Sequence, residues 1–121
     1  MVWSMKKMEL TNFYAKIPEK LVEAQGKLEE SIKAFGTASE LYTETFIEYR
    51  KLKGEVVKRL KGEGVQVSII AEIAQGETAE AKGKMLNAEA QKKKTIMLYD
   101  AYRERLFTLR SMNRSTEALT R

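Results

Sequence analysis

The chain has 121 residues, of which 43% are hydrophobic and 32% are charged, and its formal net charge is +5. This length fits one domain, and the composition is unlike that of a membrane protein or of a typical disordered chain. Cysteine and histidine are absent, which excludes disulfides, zinc–thiolate sites, thiol chemistry and imidazole catalysis. The positive charge permits contact with nucleic acid or another acidic surface without requiring it.

The N-terminal segment, residues 1–16, is mixed in character and has no clear helical period. Its aromatic residues, among them Trp3 and Phe13, are expected to anchor this arm onto the helices that follow. Lys6 and Lys7 do not precede the apolar stretch of a secretory signal, so we expect no signal peptide and a cytoplasmic location. No apolar run approaches the roughly 18 residues that span a bilayer, and we expect no membrane contact.

The next segment predicts a long helix over residues 17–61. Pro18 suits the first turn of a helix, where a missing N–H group costs nothing. Apolar residues then recur at steps of three or four, which is typical of one helix face. They are Leu21, Ala24, Leu28, Ile32, Phe35, Ala38, Tyr42, Phe46, Tyr49, Leu52, Val56 and Leu60. Because a glycine costs about 1 kcal/mol in a helix interior and β-branched Thr37 follows Gly36, we expect any bend at Gly36.

Two glycines in three residues, Gly62 and Gly64, predict a helix stop followed by a turn. We expect a short helix over residues 66–75, in which Ser68 is the N-cap. This short helix is expected to lie at the turn between two longer ones.

A second long helix is predicted over residues 78–112, with Thr78 as its cap. Its expected buried face consists of Leu86, Ala90, Met97, Leu98, Ala101, Tyr102, Leu106, Leu109 and Met112. The remaining tail, residues 113–121, loses this apolar period, and we expect it to fray.

The short connections predict that the two long helices return antiparallel. With the turn centred near residue 70, Phe35 is expected to lie near Arg105. The predicted fold class is all-α, with one domain over residues 1–121 that forms a long antiparallel helical hairpin with a short helix at the turn. Because such a hairpin buries little surface, we expect it to assemble as a homodimer or higher oligomer in a helical bundle.

Three glutamates, Glu40, Glu44 and Glu48, recur every four residues on one face of the first long helix. Carboxylate metal sites in helical bundles also need a Glu-x-x-His motif, and this chain has no histidine. A solvated helix face is therefore the favoured interpretation. We predict no catalytic residue, no cofactor, no metal ligand and no enzymatic activity.

A cluster of basic residues is predicted towards the turn end of the hairpin, where an acidic partner or a nucleic-acid backbone could dock. Its members are Arg50, Lys51, Lys53, Lys58, Arg59, Lys61, Lys82, Lys84, Lys92, Lys93 and Lys94. Aromatic residues for base stacking are not expected at this end, because Tyr49 is the nearest and is predicted to face the core. An ordinary solvated basic face is the alternative interpretation.

Two blocks of sequence have a recognisable order. Residues 61–76 run from a basic residue through Glu-Gly-Val-x-Val to Ala-Gln-Gly, and residues 87–90, Asn-Ala-Glu-Ala, lead to Leu-Arg-Ser-Met-Asn-Arg at 109–114. Over residues 55–114 this order resembles small coiled-coil proteins encoded in early gene regions of tailed phages of Gram-positive bacteria. The resemblance implies a phage origin and a role near replication, recombination or host takeover. It carries over no functional residues.

The sequence therefore predicts a non-enzymatic accessory protein that acts through its helical surfaces. Its partner is expected to be a protein, from the bacterial host if the phage resemblance holds. Direct nucleic-acid binding through the basic end of the hairpin is the main rival, and a purely structural oligomer is a third interpretation.

Overall fold

The structure is a computed structural model that describes the backbone of residues 2–120 and the side chains of residues 7 and 9–118. It contains four helices, α1 (Val2–Ala15), α2 (Ile17–Gly62), α3 (Val67–Glu77) and α4 (Ala79–Thr120), and residues 2–120 contain no strand. Helix α2 packs against α4, and α3 lies at the turn. The predicted all-α class and the antiparallel hairpin are therefore confirmed.

Helix α2 ends in a glycine cap that the sequence explains. Gly64 has a φ of +79°, a conformation that glycine adopts without steric cost. The N–H of Gly64 donates to the carbonyl of Lys61 at 3.2 Å, and the N–H of Val65 donates to the carbonyl of Leu60 at 3.1 Å. Val65 also packs against the cluster that contains Leu60. These bonds and this apolar contact form a Schellman motif, which satisfies the last carbonyls of the helix.

The returning limb starts directly after this turn. Helix α3 begins at Val67, and its N-cap residue is Gln66, whose side chain makes no capping bond. Ser68 lies inside the first turn, so the prediction that Ser68 is the N-cap is wrong. At Thr78, between α3 and α4, the N–H donates to the carbonyl of Ala74 at 3.0 Å, and the N–H of Lys82 donates to the carbonyl of Thr78 at 2.9 Å. Helical hydrogen bonding thus continues on both sides of Thr78.

Thr78 is itself 2% exposed, and its hydroxyl donates back to the carbonyl of Ala74 at 2.6 Å. It is therefore a buried link between α3 and α4 that directly precedes the first residue of α4, as predicted, and its hydroxyl bonds back to α3. A threonine hydroxyl bonded to the carbonyl four residues earlier is compatible with a helix and often bends it.

Because α3 already belongs to the returning limb, the predicted register is wrong. Lys92, and not Arg105, lies over the ring of Phe35, with its ammonium 6.0 Å from the ring centroid. The turn is centred near Gly64, several residues earlier than expected. The prediction centred the turn near residue 70, within α3, whereas the connection lies between the end of α2 at Gly62 and the start of α3 at Val67.

The helix bounds differ from expectation at three places. The arm of residues 1–16, in which no helical period was expected, contains helix α1. The expected anchoring by Trp3 lies outside the described side chains. Helix α2 runs without interruption through Gly36, where nothing would contact an added Cβ within 4 Å. Helix α4 extends through the predicted tail to Thr120, because no glycine or proline follows Gly83 to stop it.

The chain divides into two compact units, each with a small apolar core. Unit 1 comprises Met1–Lys33 and Ile96–Arg121, and its core cluster contains Ala24, Leu106 and Leu109 with the partly buried Leu21 and Leu28. Unit 2 comprises Ala34–Thr95. Its core cluster contains Val56, Leu60, Ile70 and Ala74 with the partly buried Val57, Val65 and Ile73.

Candidate interaction surface

One flank of α2 in unit 2 carries an open surface, formed by this helix alone, that we call the basic groove. Its lining residues are Phe46, Tyr49, Arg50, Lys53, Gly54, Val57, Lys58 and Lys61. Residues spaced by three or four lie on the same side of a helix, so the sequence of α2 places these side chains together. Four of the eight are basic and none is acidic.

A second groove continues from the basic groove towards the turn, and we call it the turn groove. It shares Tyr49, Lys53, Val57 and Lys61 with the basic groove and adds side chains of α3 and Lys82 of α4. Two separate parts of the sequence therefore contribute basic side chains to one surface. Glu72 is the acidic residue in this lining.

Aromatic rings lie beside the cations of this flank. The Arg50 guanidinium is 5.6 Å from the ring centroid of Phe46, and the Lys53 ammonium is 5.9 Å from that of Tyr49. Cations within about 6 Å of a ring centroid are attracted to the face of the ring. The pairs Phe46/Arg50 and Tyr49/Lys53 are each four residues apart, and this spacing makes them neighbours on the helix.

The aromatic row extends along α2 beyond the groove. The ring centroids of Tyr42 and Phe46 are 6.0 Å apart with planes at 37°. The ammonium of Lys92, on α4, is 5.2 Å from the Tyr42 ring centroid as well as 6.0 Å from that of Phe35. Lys92 therefore connects the two long helices within unit 2.

The prediction that aromatic residues are missing from the basic end is wrong. Tyr49 is half-buried and lines both grooves, so it is not enclosed in the core. Phe46 is also half-buried and lies in the basic groove. Both rings belong to the apolar period that the sequence shows, but an apolar stripe wider than the contact with the opposite helix leaves its edge at the surface.

The structure places the eleven basic residues of the predicted contact surface in different surroundings. Five line the two grooves: Arg50, Lys53, Lys58, Lys61 and Lys82. Lys84 lines a different groove, which small residues such as Ala38 and Ala88 also line. Lys51 and Lys94 are exposed and line none of these three grooves.

The other three predicted bases already contact side chains of the chain itself. Arg59 donates through one guanidinium nitrogen to both carboxylate oxygens of Glu77, at 2.7 and 2.6 Å, and lies 3.8 Å from Glu63. The Lys93 ammonium lies 3.1 Å from the Glu89 carboxylate. Lys92 lies over the rings described above.

The three consecutive lysines Lys92, Lys93 and Lys94 do not form one basic patch, although their order in the sequence suggests it. Successive helical residues are rotated by about 100°, so the three ammonium groups leave the helix in three directions. Lys92 is half-buried, whereas Lys93 and Lys94 are exposed. A run of lysines in a helix is therefore not a single patch of charge.

The acidic residues Glu40, Glu44 and Glu48 are exposed and lie outside the lining of the basic groove. Within the described part of the chain, no group of three or more acidic side chains is placed to hold a metal ion. In those same residues, none of the helices has an apolar stretch long enough to cross a membrane.

Comparisons of the chain with protein-family models, with curated proteins and with solved structures return no match.

Proposed function

We propose that the protein is a non-enzymatic binding protein and that its basic groove engages an acidic partner. The observation that carries this proposal is the lining of the groove, in which Arg50, Lys53, Lys58 and Lys61 occur without a single carboxylate. Lys82 of α4 adds a further basic side chain in the adjoining turn groove, which also contains Glu72. A surface that carries one sign of charge attracts the opposite charge and accelerates encounter with it.

The expected affinity is the sum of several weak contacts. Each exposed pair of opposite charges contributes about 0–1 kcal/mol in water, so no single lysine or arginine accounts for the affinity. At physiological ionic strength the screening length is about 8 Å, and this distance limits the interaction to charges that meet directly. The proposal therefore requires an affinity that falls steeply as salt is added.

The proposal includes the cellular context that the sequence suggests. If the resemblance to early-region phage proteins holds, the acidic partner belongs to the replication, transcription or defence machinery of a bacterial host, and the protein works in the host cytoplasm. Self-association into a dimer or a higher oligomer would present several grooves on one particle and raise the avidity for an extended partner.

The test is binding of the purified chain to heparin, a polyanion with no aromatic groups, at about 50 and 300 mM salt. Lys53→Glu/Lys58→Glu reverses two charges in the groove, and Lys51→Glu/Lys94→Glu reverses two exposed charges outside it. Both variants change the net charge equally. We expect the groove variant to lose most of the affinity and the control to keep most of it.

Light scattering on the same samples measures the oligomeric state. Equal loss of affinity in the two variants would show that net charge, and not the groove, determines binding. No binding of heparin by the wild-type chain at 50 mM salt would contradict the proposed function.

A further inference from the structure

We infer that the acidic partner of the basic groove is a single-stranded nucleic acid whose bases stack on Phe46 and Tyr49. This inference rests on the proposed function and names the partner class for the same site. It goes further because it assigns a role to the rings, which an acidic protein surface would not require.

The first step is the chemistry of the lining. A base offers a flat aromatic face, and stacking on a protein ring is tolerant of sequence because every base has such a face. Phe46 and Tyr49 line the same groove as Arg50 and Lys53. Grooves that track a phosphate backbone and stack bases on aromatic side chains are the recurring solution for binding single strands.

The second step is the position of the cations. Arg50 lies 5.6 Å from the Phe46 ring centroid, and Lys53 lies 5.9 Å from that of Tyr49. Each cation lies over a face of its ring, so a base that stacks on that face must displace the cation, which can then pair with the phosphate of the same nucleotide. The guanidinium plane of Arg50 is also a surface on which bases stack.

The third step is the accessibility of the base faces. A base that stacks must offer a free face to a ring of the groove, Phe46 or Tyr49. In a duplex the base faces are covered by their neighbours, so only an unstacked single strand can use this row of rings.

The fourth step is the length of the surface. From Phe46 to Lys61 the helix rises by about 22 Å, at about 1.5 Å per residue. Its two rings, Phe46 and Tyr49, offer stacking positions for two bases near one end of this length. The lysine side chains at the far end of the groove, Lys58 and Lys61, would then contact phosphates beyond the stacked nucleotides.

The experiment compares four labelled or competing ligands by fluorescence anisotropy: a 12-nucleotide oligo(dT), a 12-base-pair duplex, heparin and polyglutamate. The variant Phe46→Leu/Tyr49→Leu keeps apolar volume and removes two rings from the groove. Its matched control, Tyr102→Leu/Phe107→Leu, removes one tyrosine and one phenylalanine from α4 in unit 1. Circular dichroism and thermal melting of both variants measure their folding.

We expect oligo(dT) to bind more tightly than the duplex and the groove variant to lose about tenfold or more in affinity for it. The control should change that affinity by less than about twofold, and heparin binding should be insensitive to both variants. Ultraviolet cross-linking of the wild-type chain to a bromodeoxyuridine oligonucleotide should label the tryptic peptide 34–50. The cross-link needs no variant, so it tests the inference even if the ring substitutions unfold the chain.

The outcomes separate the two proposals. Binding of heparin that depends on Lys53 and Lys58, combined with equal affinity for single strand and duplex and no effect of the ring variant, would overturn the inference and leave the proposed function intact. Preference for polyglutamate would overturn it in favour of an acidic protein. Failure of all four ligands to bind would overturn both.

Discussion

Units 1 and 2 contain the same number of basic residues, eleven each, but place them differently. In unit 2, five of them line the basic groove and the turn groove, where two cations lie over the rings of Phe46 and Tyr49. In unit 1, Lys27 pairs with Glu23 at 3.4 Å, and Lys20 lies over the ring of Phe13. The comparison teaches that equal numbers of basic residues can be distributed differently, because the helix period decides which side chains share one flank of a helix.

The largest expected effect tests whether unit 2 depends on its small core. Leu60 is 4% exposed in that core, and truncation of a buried leucine to alanine typically costs about 2–5 kcal/mol. We expect Leu60→Ala to lower the free energy of unfolding by this amount in urea denaturation. Hydrogen exchange should locate the loss of protection in unit 2.

The control for this substitution is Leu52→Ala, because Leu52 is 36% exposed on the same helix. Its expected cost is below about 1 kcal/mol, since little apolar surface is removed from the interior. Similar costs at the two positions would contradict the assignment of the core.

The next effect tests the turn that sets the register of unit 2. Gly64 has a φ of +79°, and an added Cβ would meet nothing within 4 Å, so the cost of an alanine is conformational. We expect Gly64→Ala to destabilise the chain by about 1–2 kcal/mol. Thermal or urea unfolding measures it.

Gly36 provides the matched comparison. It lies inside α2 with equally open space around it, and alanine is favoured over glycine in a helix interior by about 0.5–1 kcal/mol. Gly36→Ala should therefore stabilise the chain. Stabilisation by both substitutions would contradict the glycine cap at Gly64.

A smaller effect is expected at the link between α3 and α4. The Thr78 hydroxyl is buried and donates to the Ala74 carbonyl at 2.6 Å. Thr78→Val keeps the shape and removes this bond, at a cost of about 1 kcal/mol. The loss should appear in urea unfolding, and Thr78→Ser, which keeps a hydroxyl, should retain the bond but lose a methyl contact. A neutral Thr78→Val would show that the bond contributes nothing.

The smallest effect concerns the ion pair that joins α2 and α3. The side chains of Arg59 and Glu77 are 51% and 41% exposed and approach to 2.6 Å. Exposed pairs contribute about 0–1 kcal/mol and weaken with salt. A double-mutant cycle of Arg59→Ala and Glu77→Ala should give a coupling energy in this range that decreases at 1 M salt. A coupling energy above 2 kcal/mol would contradict a screened surface pair.

Parts of the fold could be predicted from the sequence for local reasons. The steps of three and four from Leu21 to Leu60 predict a helix, and Gly62 and Gly64 predict its end, because both signals lie within a few residues. The structure confirms the hairpin that follows from them. The expected oligomer and partner stay predictions.

The register and the site could not be predicted because they depend on contacts between distant segments. Whether α3 belongs to the turn or to the returning limb depends on how Ile70 and Ala74 pack against Val56 and Leu60, and no local signal reports that packing. The same applies to Tyr49. Its place in the apolar period is visible in the sequence, but its position at the edge of the helix contact is not.

The most direct test of the basic groove is the salt dependence of binding to oligo(dT). Each lysine or arginine that contacts a phosphate of a single strand contributes about 0.7 to the magnitude of the slope of log affinity against log salt concentration. We predict that Lys53→Gln lowers the magnitude of the slope by about 0.7 relative to the wild-type chain, whereas Lys51→Gln leaves it unchanged. Parallel plots for all three proteins would contradict the central claim that this groove meets the acidic partner.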